Sequence, residues 1–154
     1  MAIRKIVTKE DPILHVKCRT VEKFDEKLWQ LLDDMSETLY KAQGVGLAAP
    51  QVGIRKRIAV IDPGDGLIEL INPEIIKKSG KQRDIEGCLS CPDQWGYVVR
   101  PSRCTVRAQD RNGEFFELRL QELACRAACH EIDHLDGKLF LDLVEEFVEL
   151  AEEA

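Results

Sequence analysis

The chain has 154 residues, of which 44% are hydrophobic and 32% are charged, and its formal net charge is −6. This length and composition predict one globular domain over residues 1–154, with a core that needs no disulfides. The acidic balance, without a stripe of basic and aromatic residues, argues against direct binding of nucleic acid.

Neither the N-terminus nor the apolar segments indicate membrane targeting. The longest apolar stretches, such as Ile58–Ile61, are far shorter than the roughly 20 residues that cross a bilayer. The first residues lack a signal-peptide core, so we expect a cytoplasmic protein without a membrane partner, acting as a monomer. In that reducing setting the six cysteines are predicted to be thiols or metal ligands rather than disulfides.

The first element in chain order is an amphipathic helix between Val21 and Ala42. Apolar residues recur there at steps of three and four, namely Val21, Phe24, Leu28, Leu31, Met35, Leu39 and Ala42. Asp25 is placed to cap the first turn, and Gly44 to end the helix. The small, apolar segment that follows, residues 44–53, predicts a loop beside a functional site.

Short strands are predicted in the middle of the chain, over Ile58–Ile61, Leu67–Ile71 and Tyr97–Val99. Turn signals at residues 63–66 and at Asn72-Pro73 separate them. Two alternating segments around the Arg111-Asn-Gly113 turn predict a hairpin, and with it a mainly antiparallel sheet.

A second helix is predicted from about Gln121, with Gly137 placed to receive its C-terminus. The acidic tail from Leu143 to Ala154 also has a helical pattern. Together these elements predict an α+β fold in which antiparallel strands pack around a central helix that carries an H-E-x-x-H motif.

That motif is His130-Glu-Ile-Asp-His134. On a helix, histidines four residues apart project from nearly the same face and can share one cation. Glu131 then lies beside the cation rather than on it, which suits a general base. A solvated face of His and Glu side chains is the alternative, so the chain should supply a third ligand and leave one position open for water.

Two candidates compete for the third ligand. Cys88 offers a thiolate next to a glycine, and thiolates bind soft or borderline cations well. A tail glutamate, Glu149 or Glu152, is the other candidate, although its surroundings resemble a surface acidic run. Cys88 and Cys91 also spell C-x-x-C, as in a closed structural zinc site or a redox pair, but a fourth protein ligand would remove the open position. Cys91 is therefore interpreted as a packed thiol.

Three segments together resemble the signature motifs of peptide deformylases: Gly44-Val-Gly-Leu-Ala-Ala-Pro-Gln51, Glu86-Gly-Cys-Leu-Ser90 and His130-Glu-Ile-Asp-His134. The likeness extends from Asp11-Pro12 to Gly137-Lys-Leu-Phe140. It implies a hydrolase that removes the formyl group from the N-terminal formylmethionine of nascent polypeptides and releases formate. Its partners would be N-formylmethionyl peptides and nascent chains.

The resemblance also implies a role for each residue. Cys88, His130 and His134 would hold one divalent metal ion, with Fe²⁺ as the usual native ion and Zn²⁺, Ni²⁺ or Co²⁺ as possible replacements. Glu131 would accept the proton of the attacking water and pass it to the leaving amine.

Two oxyanion donors are implied as well, the side-chain amide of Gln51 and the backbone N–H of Leu89. Five residues are expected to bind substrate. The resemblance assigns the peptide backbone, bound as an added strand, to Val45, Gly46 and Gly87. Candidates for the methionine pocket are Leu123 and Ala127, which equally fit ordinary core positions.

Two residues depart from the family pattern: Cys129 stands where glutamine is common, and Cys91 where an aliphatic residue is common. Neither change removes a ligand or the base. Glu86 and Arg100 are expected to pair behind the site. A metallopeptidase and a non-catalytic zinc module with four protein ligands remain the alternative functions.

Overall fold

Two antiparallel sheets and two α-helices make up most of the computed structural model, which describes residues 2–149. The described strands are β1 (Gly46–Ala48), β2 (Ile58–Ile61), β3 (Ile68–Ser79), β4 (Gln82–Cys88), β5 (Cys91–Arg100), β6 (Arg103–Gln109), β7 (Phe115–Gln121) and β8 (Glu146–Val148). The helices are α1 (Glu26–Lys41) and α2 (Glu122–Leu135), with 3₁₀ turns at Pro12–His15, Ala49–Val52 and Phe140–Asp142.

The strands form one sheet of order β1-β2-β3-β6-β7 and another of order β4-β5-β8. Neighbouring strands are antiparallel in both sheets. Helix α2 packs against the five-stranded sheet and contacts all five of its strands. The predicted α+β fold, with antiparallel strands around the helix that carries H-E-x-x-H, is confirmed.

Helix α1 begins where the predicted cap places its first turn. It begins after Asp25, whose side chain accepts a hydrogen bond from the N–H of Leu28 at 3.3 Å, so the predicted cap is confirmed. Val21 lies outside the helix, because the side-chain amide of Asn72 binds its backbone N–H and C=O instead. At the other end Gln43, not Gly44, takes the left-handed conformation (φ 57°).

The apolar face of α1 forms one core with β1 and β2. Leu32, Met35 and Leu39 are fully buried there together with Leu47 and Val60. Burial of one such side chain contributes about 1.5–3 kcal/mol relative to exposure, so this contact fixes β1 firmly on α1.

Among the described residues, no helix has both the length and the apolar character needed to cross a bilayer.

Strand β3 differs from its prediction because it continues through Asn72-Pro73, which the sequence suggested as a break. A register shift between Ile71 and Glu74 accommodates the two residues, and Asn72 has φ 51°. Asparagine tolerates this left-handed conformation, and its side chain also donates to Gln109 at 2.7 Å. The dipeptide therefore forms a bulge within the strand.

Two further predictions are incomplete or wrong. Strand β4 was not predicted, because its sequence is polar and does not alternate clearly. The tail is not helical over residues 143–149: β8 pairs there with residues Trp95–Tyr97 of β5. The predicted helix over residues 150–154 lies outside the described residues. The hairpin of β6 and β7 is confirmed.

Candidate metal centre

Helix α2 supplies both histidines and the glutamate of the predicted motif. It starts directly after β7 and ends at Leu135 with Asp136 as its C-cap, and Gly137 (φ 77°) then reverses the chain as expected. A Cβ on Gly137 would lie 2.9 Å from backbone atoms of residues 15 and 16, which explains the glycine. His130 and His134 are buried, with ring centroids 5.0 Å apart.

Cys88, the last residue of β4, faces the two histidines. Its Sγ lies 3.3 Å from Nε2 of His134, and one potential ligand atom from each of Cys88, His130 and His134 lies within 4.8 Å of the others. Around a cation with bonds of about 2.0–2.3 Å, ligand atoms stand roughly 3–4 Å apart. The three side chains therefore fit one divalent metal ion.

Glu86 orients His130 from behind. Its Oε1 lies 2.9 Å from Nδ1 of His130, which leaves Nε2 free to face a cation. Arg100 donates to both carboxylate oxygens at 2.9 and 3.0 Å, and Arg126 donates to Oε2. The expected pair of Glu86 and Arg100 is thus confirmed. Burial raises the pKa of Glu86, but hydrogen bonds from His130 and Arg100 outweigh it and lower that pKa to about 2.

Glu131 is buried beside Cys88 and the two histidines, and no residue within 2–149 donates a hydrogen bond to its Oε1. Burial raises the pKa of this carboxyl group to about 7, although the nearby His130 opposes the shift. Gly46 of β1 lies directly against it: a Cβ there would be 2.5 Å from Glu131 Oε2. The carboxylate therefore has its place only because residue 46 has no side chain.

The protein environment alone keeps the Cys88 thiol protonated. A hydrogen bond with Cys91, burial and the negative field of Glu131 all raise its pKa. Burial lowers the pKa of His134, so this imidazole is neutral, as a ligand must be. A bound cation reverses the thiol's preference, because a coordinating thiol loses its proton.

Gln51 sits in the 3₁₀ turn after β1 and is buried. Its Oε1 accepts from the N–H of Ala48 at 2.9 Å, which fixes the amide orientation. The Nε2 atom then points to Ser90 Oγ at 3.1 Å and to Cys88 Sγ at 3.6 Å. Leu89 occupies the turn between β4 and β5, directly after Cys88.

A cleft of about 440 Å³ opens beside these residues. The structure brings all five residues predicted to bind substrate to its wall, namely Val45, Gly46, Gly87, Leu123 and Ala127. Strand β1 is the edge of the five-stranded sheet and β4 the edge of the three-stranded sheet. The cleft thus lies between two edge strands, which offer free backbone groups.

The structure also bears on the tail glutamates, the alternative third ligands, and on Cys91 of the C-x-x-C pair. Glu149 is exposed and lies outside the group of donors formed by Cys88 and the histidines, and Glu152 lies outside the described residues. Cys91 is buried among apolar side chains.

Sequence reasoning missed three residues of the site. Arg126 supports Glu86, while Ile85 and Trp95 line the cleft. Ile85 precedes Gly87 by two residues on β4, so strand alternation would have placed both on one face. The two others depend on tertiary contacts that no local pattern signals.

Comparison with known proteins gives consistent matches. The family model described as "Polypeptide deformylase" matches residues 3–149. A peptide deformylase of Caldicellulosiruptor bescii is 60% identical over 148 residues, covering 96% of this chain and 89% of the relative. One of Alkaliphilus metalliredigens is 58% identical over 144 residues, covering 94% of this chain and 98% of the relative.

Solved structures agree in fold. The peptide deformylase of Thermotoga maritima superposes with a TM-score of 0.92 at 40% identity, covering 94% of this chain and 99% of that one. The Ehrlichia chaffeensis enzyme in complex with actinonin gives a TM-score of 0.91 at 40% identity, with coverage of 94% and 90%.

Proposed function

We propose that this chain, which belongs to the peptide deformylase family, holds one divalent metal ion at Cys88, His130 and His134 and uses Glu131 as its proton carrier. Its activity is that of the family, the metal-dependent hydrolysis that removes the N-formyl group from nascent polypeptides. The single observation that carries the residue assignment is the convergence of these three ligands beside a buried, unpartnered carboxylate oxygen.

One thiolate and two imidazoles suit a divalent transition-metal ion. The resemblance to the family favours Fe²⁺ as the physiological ion, with Zn²⁺, Ni²⁺ or Co²⁺ as substitutes. When bound, such an ion supplies Lewis acidity, which polarises the formyl group and makes water acidic enough to attack near neutral pH.

Glu131 takes up the proton that the attacking water loses and delivers it to the leaving amine nitrogen, so that formate and a free N-terminus result. A proton carrier works best when its pKa lies near the operating pH. Burial of Glu131 raises its pKa in that direction. Its Oε1 is buried and accepts no hydrogen bond from the described residues, so it retains the capacity to accept one.

Gln51 and Leu89 stabilise the tetrahedral oxyanion in this proposal. The bond from Ala48 N–H to Gln51 Oε1 leaves the Nε2 donor aimed at the site before substrate arrives. Such preorganised donors contribute about 3 kcal/mol each to transition-state stabilisation.

The peptide binds in the cleft as an added strand. Val45 and Gly46 belong to one edge and Gly87 to the other, so the substrate backbone bridges the two sheets. The methionine side chain lies against Leu123 and Ala127 of α2, whose apolar side chains face the same cleft.

We also propose that the enzyme acts as a monomer in the cytoplasm, where nascent chains emerge. Light scattering, which measures the mass in solution, tests the monomer.

The test is formate release from a formyl-methionyl peptide by anaerobically purified protein, beside Glu131→Gln. We expect Glu131→Gln to keep its metal and to lose at least about a hundredfold in rate, the usual scale for loss of a general base. A blocked internal peptide serves as control and should not be cleaved, in contrast to the expectation for a metallopeptidase. An unchanged rate in Glu131→Gln would remove Glu131 from the mechanism.

A further inference from the structure

Three cysteine thiols meet between α2 and the five-stranded sheet, away from the substrate cleft. Cys125 and Cys129 lie four residues apart on α2, hence on one face, and Cys104 comes from β6. Their Sγ atoms all lie within 4.8 Å of one another, and the thiols contact each other in all three pairings. Deformylation as described above makes no use of this three-thiol cluster.

The cluster repeats the spacing of the candidate metal centre on the same helix. Cys125 and Cys129 form one pair at i and i+4, and His130 and His134 form another. The second pair is offset from the first by five residues along the helix, so the two pairs face directions about 140° apart. Each pair meets a cysteine from a strand, Cys104 in one case and Cys88 in the other.

The distances between the three sulfur atoms and the chemistry of thiolate together favour a small set of cations. Three sulfur atoms around one ion with bonds of about 2.3 Å stand roughly 4 Å apart, which lies within the observed limit. All three thiols are buried, with relative exposures of 4%, 0% and 4%. Thiolate sulfur is a soft ligand that selects zinc-group ions over magnesium or calcium.

We propose that Cys104, Cys125 and Cys129 form a second metal site, which takes one thiophilic divalent cation of the zinc group, Zn²⁺ or Cd²⁺. Binding forms three metal–sulfur bonds and releases the three thiol protons to solvent. No electron transfer is involved, so no oxidant or reductant is required.

Polar and charged groups lie next to the three-thiol cluster. The carbonyl oxygen of Pro101 accepts a hydrogen bond from Cys125 Sγ at 3.3 Å, so a neutral oxygen donor lies beside one of the three sulfur atoms. Three thiolates on a divalent cation carry a net charge of −1. Arg100 favours the thiolate form of Cys129, whereas Asp133 opposes it.

Ordinary packing explains a single buried cysteine, because a thiol behaves as a small apolar group. Cys18 is such a case: it is buried beside Ala48, Ala59 and Leu135, apart from the other thiols. The three-thiol cluster differs because the sulfur atoms face one another. A bound ion would link α2 to β6 and stabilise the helix that carries the catalytic residues.

The test counts Cd²⁺ ions per chain on enzyme that already contains its catalytic metal and is kept reduced with a phosphine. Native mass spectrometry should show one added Cd²⁺ on the wild type, and the ultraviolet Cd–thiolate absorption should correspond to three sulfur ligands. Basic residues such as Lys78 and Arg103 border the groove beside Cys104 and repel a cation that approaches the cluster. The protein is therefore incubated with Cd²⁺ for a long time before the ions are counted.

Matched variants locate the ion. Cys104→Ser and Cys125→Ser should bind the added Cd²⁺ at least about a hundredfold more weakly, beyond the 10–100-fold typical of an outer-shell change. Cys18→Ser should bind like the wild type. All three should retain formate release, which also reports a folded chain.

Two results would overturn the proposal: a wild type that takes up no Cd²⁺ beyond its catalytic metal, or a Cys104→Ser variant that takes it up as strongly as the wild type. Displacement of the catalytic ion is distinguishable, because that centre offers one sulfur instead of three. If the variants fail to fold, the sulfur count on the wild type alone decides.

Discussion

The carboxylate of Glu131 occupies space that a side chain at position 46 would fill. Because a Cβ on Gly46 would lie 2.5 Å from Glu131 Oε2, Gly46→Ala has to displace the carboxylate. A misplacement of about 1 Å at a catalytic group can cost a hundredfold in rate. We therefore expect Gly46→Ala to lower kcat by about a hundredfold while metal content stays at the wild-type level. Kinetics and metal analysis on one preparation check this, and a wild-type kcat would refute the contact.

Glu86 orients the imidazole ring of His130 through the hydrogen bond to its Nδ1. Glu86→Gln keeps the shape but removes the charge that two buried arginines share, Arg100 and Arg126. We expect metal affinity to fall by about 10–100-fold, as for other outer-shell changes, together with a lower melting temperature. Competition with a chelator measures the affinity. Arg83→Gln, which breaks exposed pairs with Glu145 and Glu146 and the stacking of Arg83 on Tyr97, is the control and should leave the metal affinity unchanged.

At the scale of elements, Asp34 ties the N-terminal segment to α1. It accepts bonds from Ala2 N–H at 2.8 Å, from Arg4 at 2.9 Å and from Gln30 at 2.8 Å. Burial raises the pKa of Asp34, but these bonds outweigh it and hold the pKa below its ordinary value of 3.8. The folded state thus favours the ionised form of Asp34. The ionised carboxylate stabilises the fold above pH 3.8, and this stabilisation is lost as the pH falls through the lower pKa of the folded state.

Asp34→Asn should therefore be less stable than the wild type at neutral pH, and the difference should shrink as the medium becomes more acidic than pH 3.8. Urea unfolding at several pH values measures it. A difference that is constant over the whole pH range would mean that the Asp34 charge makes no contribution.

Elements with a clear local signal were predicted well, and those that depend on distant contacts were not. Asp25 and the β6–β7 hairpin follow from capping and alternation. Strand β4 exists because it pairs with β5, and β8 because it pairs with β5 on the other side. Nothing in the polar, acidic sequence of these two segments signals a partner, so the helical prediction for residues 143–149 was wrong.

The bulge at Asn72 shows the same limit. Asn72-Pro73 has the composition of a turn, yet the side chain of Asn72 holds Val21 and Gln109 in place and keeps β3 continuous. The two histidines of the candidate metal centre, in contrast, were accessible to sequence reasoning, since helical spacing brings His130 and His134 together.

At the scale of the whole molecule, a metal ion at the proposed site would join α2 to β4 and hence one sheet to the other. A ligand that binds only the folded state stabilises it, by about 2.7 kcal/mol at 100 times its dissociation constant. Removal of the metal by a chelator should lower the melting temperature of the wild type. Cys88→Ala lacks one ligand and should respond much less, and an equal response in both proteins would contradict the proposed ligand set.

X-ray absorption spectroscopy of the metal in anaerobically purified Cys104→Ser protein, in which the three-thiol cluster is disabled, tests the proposed ligand set without interference from a second site. We expect one sulfur and two imidazole nitrogens in the first coordination shell, from Cys88, His130 and His134. Two sulfur ligands, or none, would contradict it.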